Sequence, residues 1–590
     1  MHRHLSSSEI TQLERQHCWS ANWDGVMVAD PFDAALVRNV RFEGEVRVGA
    51  MAEGRMHGNG PVTLPEGITN SWLRNSEVGD HCAIHDVHLL DNYSIGSHCL
   101  LFNVGVMQCA GEMQWMSPMN ENGNRRIRPF PGMTIGDAYL WARFRGRDKL
   151  LHRLDQMTCR ELQDGRANIV GEGCVILNTL RVHNVSILSS LEQPVSVQQC
   201  VCLSDGVIGY GCHLHDGIIA QRFLLGEHVA LESGLRLNDT VVGDNSTLAC
   251  GEVGCAMIFP AHEQHHNSSF LIAALVEGQS NLASGATVGS NHNSRAADGE
   301  IRAARGFWPG LNASLKHNSN FASYCLVAKG IYPNEMNIPL PFSLVSNNAG
   351  MDQLEVMPAY WWMYNMYALD HCMRKFVKRD KRKVKAQHID FQLLAPDTAD
   401  EILHARILLK SWMDKAGEGN EVLAEGLECG KRRVVILKAR QAYKAYEDML
   451  YFYCVGMLRM LDKLPEPQRD DAEWINMGGL LMKRTDVEEL IRQIEDGDLK
   501  DWDEIHNYWE QTWQHHLQDV NAHAMKVLLD LEGVSAIAPA RWKELLRRWD
   551  DLERFVVEQT DISRKKDDDN PFRHCVYFDE DEYNAVLHAQ

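Results

Sequence analysis

VGDHCAI (78–84) and IGSHCLL (95–101), followed further along by IGYGCHL (208–214), LGEHVAL (225–231) and VGDNSTL (242–248), repeat one pattern at a fixed step. An aliphatic residue precedes Gly, two free positions, a small residue, a free position and a second aliphatic, and VGEGCVI (170–176) is a sixth copy. The glycines fall at 79 and 96, and again at 209, 226 and 243, each step being 17 residues, one short of three hexads. A period of this kind predicts a solenoid in which each coil bonds only to its neighbours. One aliphatic per hexad points inward and the small residue fits the corner, while Gly is expected to supply backbone angles closed to other residues. The expected fold is therefore a left-handed parallel β-helix of hexapeptide repeats over 46–350, after an N-terminal cap at 1–45 and before a C-terminal α-helical domain at 351–590. A β-sandwich, which alternates at two residues, has no reason to keep such a register.

The composition suits a soluble globular chain, with 45% hydrophobic and 24% charged residues. A net charge of −21 argues against a nucleic-acid binder, which needs a basic surface to displace counterions. The first residues, MHRHLSSSEITQLERQ, lack the apolar core of a signal peptide, and no run approaches the ~20 apolar residues of a membrane span. A cytoplasmic protein without membrane contact is expected. Sixteen cysteines without CxxC pairs read as reduced thiols, and Cys82, Cys99, Cys174 and Cys212 take the small inward slot of the repeat.

The repeat breaks between about 107 and 168, where a Pro/Gly/Asn-rich loop leads into the helix-like AYLWARFRGRDKLLHRLDQM. Such an insertion either shapes a site on one face or packs as a flap. Beyond 350 the apolar spacing turns helical. Thr398 with Glu401 and Thr485 with Glu488 read as capping boxes, and RRVVILKARQAYKAYEDMLYFYCVGMLRMLDK as one long buried helix. Trp361, Trp362, Tyr364 and Tyr367 read as packing against the β-helix, and the basic run Lys378–Lys385 as a solvated helix end.

The densest polar stretch is 262–320, rich in His, Asn and Arg. Within it NLASGATVGSN (281–291) resembles the NIGAGTITCN stretch in the acetyltransferase half of bacterial N-acetylglucosamine-1-phosphate uridyltransferase, with one residue more. In that family a His fourteen residues before the first Asn is the general base. Counting back from Asn281 reaches Asn267, beside His266. The resemblance implies His266 as base and Asn291 as a contact to substrate or acyl carbonyl, with His292 where the family has Tyr. The chemistry of acyl transfer asks for a neutral His near the acceptor and a donor for the oxyanion. His266, His292 and His317 suit the first role, and Asn267, Asn291, Asn293 and Asn318, with backbone amides, the second, while Asn281 is expected among the substrate contacts. Arg295, Arg302, Arg305 and Lys316 would hold a phosphate, and Asp298 or Glu300 would orient a His. Histidines clustered at 81–88, 213–215 and 262–266 raise a metal-dependent, hydratase-like alternative, but sequence shows no convergence of three ligands and no metal is expected.

SSSEITQLERQHCWSANWDGV, GSNHNSRAADGEI, GFWPGL, SLKHNSNF and IPLPFSLV resemble, over nearly the whole length, long uncharacterised proteins of Bacteroidetes and spirochaetes labelled UDP-N-acetylglucosamine pyrophosphorylase-related. A pyrophosphorylase opens with a Gly-rich strand-to-helix loop bearing a basic residue, and the glycines at 49–60 follow no such strand. The expectation is thus a transferase moving an acyl group from acyl-CoA to a sugar or nucleotide-sugar, assembled by resemblance as a homotrimer. Its rival is a non-enzymatic scaffold or small-molecule-binding protein.

Overall fold

The computed structural model describes residues 2–60, 62–163, 168–289, 299–466, 473–568 and 570–587. Parallel strands stack coil upon coil as a β-solenoid, and a helical region follows. The 17-residue step is the pairing register. Ala83 lies opposite Leu100, Cys202 opposite Ile219 and then Arg236, and Ser196 opposite His213, Ala230 and Thr247 in turn. Parallel pairing reaches back to Trp19–Ser20 against Val37–Glu43. At the other end, Leu344–Asn348 turns antiparallel to Gln353–Met357, which pairs with Arg433–Ile436 and so covers the last coil's edge.

The repeat glycine does a different job from the one expected. Residues with left-handed φ sit two positions later, at His81, His98, Gly173, Gly211, His228 and Asn245. The glycine itself is needed because coils approach there: a Cβ on Gly96 would lie 2.8 Å from the backbone of Gly171 and Glu172, and one on Gly209 would lie 2.5 Å from the carbonyl oxygen of Gly226. Cys82, Cys99, Cys174 and Cys212 are buried as expected, and three of them donate to carbonyls of the adjoining coil: Cys82 to Gly96, Cys99 to Gly171 and Cys212 to Gly226. Burial pushes the Cys174 thiol up to about 12, which keeps it protonated and inert. All sixteen cysteines are free.

The chain leaves the solenoid after Leu100–Gln108 and returns at Ile169–Val170, and the coils pair straight across the gap, Leu100 with Val175 and Val106 with Arg181. The excursion carries helices Ile135–Arg143 and Asp148–Gln163; Thr134 and Asp137 cap the first reciprocally. Met116, Phe130, Trp141 and Leu154 of the excursion lie between two apolar surfaces. One is the outward stripe Val207, Leu224, Val241, Met257 and Leu275 of the solenoid; the other includes Met482, Ile491, Trp502 and Trp509 of the helical region. The insertion is a packed middle layer rather than a flap.

Several helical readings need correction. Arg433–Ile436 is a strand and the helix behind it is Ala439–Leu458, because the β-branched RVVI run completes the terminal sheet instead of extending a helix. The strand Gln353–Met357 precedes helices Tyr360–Tyr364 and Met366–Arg379 in the stretch read as helical throughout. Pro396 starts its helix, so Thr398 is three residues past the cap position and receives the Ala395 N–H, and Lys483 rather than Thr485 stands at the N-cap position of Arg484–Asp496, with no side-chain capping bond. The basic run is no free helix end. Arg382 is buried against Asp244 at 2.8 Å and Asp380 at 2.9 Å, while Lys375 and Arg379 reach Glu263 at 2.6 and 2.5 Å, so these cations fasten the helical region to the solenoid. Trp361 and Trp362 are buried as expected, with Trp361 6.0 Å from Trp308 of the solenoid, whereas Tyr367 is exposed.

Candidate functional site

A cavity of about 480 Å³ opens where these layers meet. The solenoid contributes Glu277 just past the strand Phe270–Val276, Arg302 from Ile301–Ala303, and the segment Asn320 to Ser323. The insertion helix adds Tyr139 and Arg143; the helix Pro396–Ala416 adds Asp397, Asp400, Glu401 and His404 one turn apart on one face. The hairpin Trp474–Met477/Leu480–Lys483 brings Trp474 and Asn476, flanked by Glu473 and Arg484. Four parts of the fold thus surround one volume, of the size that takes a small molecule.

Its electrostatics are divided. Glu277 and Glu401 keep some accessible surface because they line the cavity, yet dense protein around it desolvates both carboxyls. That desolvation, reinforced by the negative charge of Asp397, raises Glu277 to about 7 against the opposing pull of Arg305 and Arg302. The same two causes raise Glu401 to about 8, although Ser323 N donates to its carboxylate at 3.0 Å. Asp397 is balanced by Arg305, a side chain 2% exposed that donates to both carboxylate oxygens at 2.8 and 2.6 Å and also to Gln279 and the carbonyl of Gln392. Asp400 accepts from His523 Nε2 at 3.0 Å, and the Tyr453 hydroxyl donates to His523 Nδ1 at 3.0 Å. At neutral pH, then, one carboxyl holds a proton it can donate and another titrates near the working range.

The opposite wall is cationic. Arg143, Arg302 and Arg484 line it together with Tyr139, whose ring is buried. Glu473 holds Arg484 at 2.7 Å, and Glu300 holds both Arg302, at 3.1 Å, and Arg125, at 2.5 Å.

The residues singled out from sequence are dispersed by comparison. His266 and Asn267 are exposed at a coil corner, where the His266 ring lies tilted against that of His265, the centroids 4.4 Å apart. His317 is buried, its Nε2 3.1 Å from the Ile272 carbonyl. Asn281 bridges to Glu263 between coils, Lys316 pairs with Glu335 at 2.9 Å, and Asn318 is exposed at a left-handed corner. Glu300 positions arginines rather than a histidine, and Arg305 is spent on Asp397. Asn291, His292, Asn293, Arg295 and Asp298 lie outside the described residues. Arg302 alone of the described candidates lines the cavity.

Histidines elsewhere have hydrogen-bonding roles. His262 bonds Ser280 at 2.8 Å, and burial pushes it down to about 4; His213 and His215 share the hydroxyl of Ser196 at 2.8 and 2.9 Å. Among the described residues no three His, Cys, Asp or Glu side chains are placed to hold one metal ion. The glycine-rich 49–60 stretch runs into an antiparallel hairpin, Met56–Asn59 against Val62–Pro65, which offers no helix N-terminus to a phosphate. No helix among the described residues is long and apolar enough to cross a membrane.

A family model described as a domain of unknown function (DUF4954) matches residues 2–413. A protein of Treponema pallidum (strain Nichols), described as an uncharacterized protein, is 39% identical over 655 residues, an alignment that covers 99% of this chain and 90% of that one. Neither description names a reaction.

Proposed function

The chain belongs to the DUF4954 family, a β-solenoid compatible with the hexapeptide-repeat class, and from that premise we propose that it is a group-transfer enzyme whose active site is the cavity between solenoid and helical region. The observation that carries this reading is Glu277, a carboxyl brought to about 7 inside a small-molecule-sized cavity beside a second carboxyl at about 8. A group poised near neutrality is what general-base catalysis needs. A carboxyl that stays protonated can donate to a developing oxyanion in a site of low polarity.

Acyl transfer from acyl-CoA to a sugar or nucleotide-sugar then runs as follows. Glu277 takes the proton of the acceptor hydroxyl or amine as that atom attacks the thioester carbonyl. Protonated Glu401 hydrogen-bonds the oxyanion. Collapse forms the ester or amide and releases the thiolate of coenzyme A, which recovers a proton from Glu277. The base is thus Glu277 in place of His266. A homotrimer and a cytoplasmic location belong to the same proposal.

The test is chromatographic measurement of coenzyme A released from a panel of acyl-CoAs with sugars and nucleotide-sugars, for the wild type and for Glu277→Gln, Glu401→Gln and His266→Ala. Glu277→Gln is expected to lose about 100-fold or more in kcat while His266→Ala keeps wild-type turnover. Full activity in Glu277→Gln overturns the assignment. Binding without turnover across the panel leaves a small-molecule-binding protein.

A further inference from the structure

The cationic wall of the cavity has no place in the proton transfers above. Arg143, which lines the cavity, has no carboxylate partner at ion-pair distance among the described residues. Glu300 is shared by Arg125 and Arg302, two cations on one anion, while Arg484 has Glu473. In the same lining Asp397 is paired with Arg305, Asp400 accepts from His523, and desolvation raises Glu277 and Glu401. Arg125, Arg143, Arg302 and Arg484 thus share two carboxylate partners, Glu300 and Glu473, in a protein whose net charge is −21. Local cations kept against so acidic a background point to an anion.

The kind of anion follows from geometry. A carboxylate is satisfied by one bidentate guanidinium, whereas a tetrahedral phosphate dianion presents three acceptor oxygens to donors arriving from different directions. Here the three guanidiniums come from an insertion helix, a solenoid strand and the first residue of the helix Arg484–Asp496, and they line one cavity together with the phenol of Tyr139. We propose that Tyr139, Arg143, Arg302 and Arg484 form a phosphate subsite, so that the substrate is a phosphate-bearing small molecule that binds with its phosphate on this wall and its reacting hydroxyl or amine toward Glu277. This deepens the preceding reading, choosing a phosphorylated acceptor over a neutral sugar, but the binding it asserts is independent of which carboxyl is the base.

Isothermal titration of the full-length protein with inorganic phosphate, a hexose phosphate, a nucleoside diphosphate, a neutral hexose and a dicarboxylate tests it. The hexose phosphate and the nucleoside diphosphate arms say whether the phosphate arrives as a monoester or a diphosphate. Binding of at least one phosphate compound is expected, with the neutral hexose and dicarboxylate at least tenfold weaker. Arg143→Gln and Arg302→Gln should each weaken that binding roughly ten- to a hundredfold, as loss of a charged hydrogen bond does, and Arg302→Lys should recover part of it. Arg302 is partly exposed, and an unchanged circular-dichroism spectrum and thermal midpoint in its variants separate lost binding from lost folding. Equal binding of the dicarboxylate, undiminished phosphate binding in both Gln variants, or no binding of any phosphate compound overturns the subsite. Phosphate binding that persists in a Glu277→Gln protein with full turnover would instead sink the assignment of the base and leave the subsite standing.

Discussion

Glu277 should make the protein less stable as pH rises, and replacing it should remove that loss. Its ordinary value of 4.5 moves to about 7 in the fold. At about 1.4 kcal/mol per tenfold change in proton affinity the shift amounts to roughly 3 kcal/mol, and partial access to the cavity brings the expected figure down to about 2 kcal/mol. Below pH 4.5 folded and unfolded chains both hold the proton and nothing is lost. From there to about 7 the unfolded chain releases it while the folded one retains it, so stability falls with pH; above about 7 both are ionised and the deficit is complete. Glutamine cannot ionise. Urea unfolding from pH 4 to 9 should therefore show Glu277→Gln level with the wild type at the acid end and about 2 kcal/mol more stable above neutrality, because the pH dependence of groups not coupled to Glu277 cancels in the difference, and the removal of its charge from beside Glu401 lowers that carboxyl and acts in the same direction. A difference that does not vary with pH, or a Gln variant less stable than wild type at pH 8, would mean that Glu277 is ionised and well compensated, and the base assignment would lose its foundation.

Arg305→Met should destabilise by about 3–5 kcal/mol in the same unfolding assay, since it strands Asp397 beside two other carboxyls, and Asp397→Asn in that background should recover part of it. Gly96→Ala should cost about 1–3 kcal/mol by forcing two coils apart, whereas His98→Gly, at a left-handed corner, should stay within about 1 kcal/mol of wild type; the opposite ranking would restore the backbone-angle account of the repeat glycine. Thiol labelling of the native protein should modify the exposed Cys200, Cys429 and Cys575 quickly and spare Cys82, Cys99, Cys174 and Cys212 until denaturant is added. Asp137→Asn should loosen the insertion by about 2 kcal/mol or more, seen as faster amide exchange in Ile135–Arg143, because the Asp137 carboxylate accepts from Thr134, His506 and Trp509 while fully buried.

The coils were legible because each contacts only its neighbours, so a 17-residue spacing in sequence is a spacing in space: Gly79 to Gly96 is one turn, and Ala83 pairs with Leu100. The cavity was hidden for the converse reason. Glu277, Tyr139, Glu401 and Asn476 are far apart in the chain and meet only through tertiary packing, so no local pattern ties them together. Glu401 was also masked by a local explanation: Thr398-x-x-Glu401 fits a capping box, but Pro396 starts the helix and frees the carboxyl to face Ser323. The histidine and asparagine corners drew attention instead because corners with left-handed φ favour such residues, which produces a polar-looking periodicity from backbone geometry alone. One signal was available. Val207, Leu224 and Val241 stand immediately before the inward Ile208, Leu225 and Val242, so every coil there carries a second, outward aliphatic. A solenoid face that is apolar outside as well as inside must be covered, and the cover was the place to look for a site.

That cover also explains why a rigid solenoid carries so large a helical region. A stack of flat-sided coils presents walls but encloses nothing, and its edge alone leaves any carboxyl open to water and near its ordinary value. Enclosure needs a second and a third wall, which the insertion helix and the Trp474–Lys483 hairpin supply. Both are tied down by contacts that would be too costly for a mere surface ornament. Gln387 of the helical region accepts from Gly136 N in the insertion and donates to the carbonyl of Gly478 in the hairpin, and Arg382 is buried on Asp244 of the solenoid. The raised carboxyls are the consequence: desolvation is the first cause for both Glu277 and Glu401, and it exists only while all the walls are in place. The helical region therefore contributes to the proposed chemistry by closing the cavity, and the proton affinity of Glu277 reports whether it is closed.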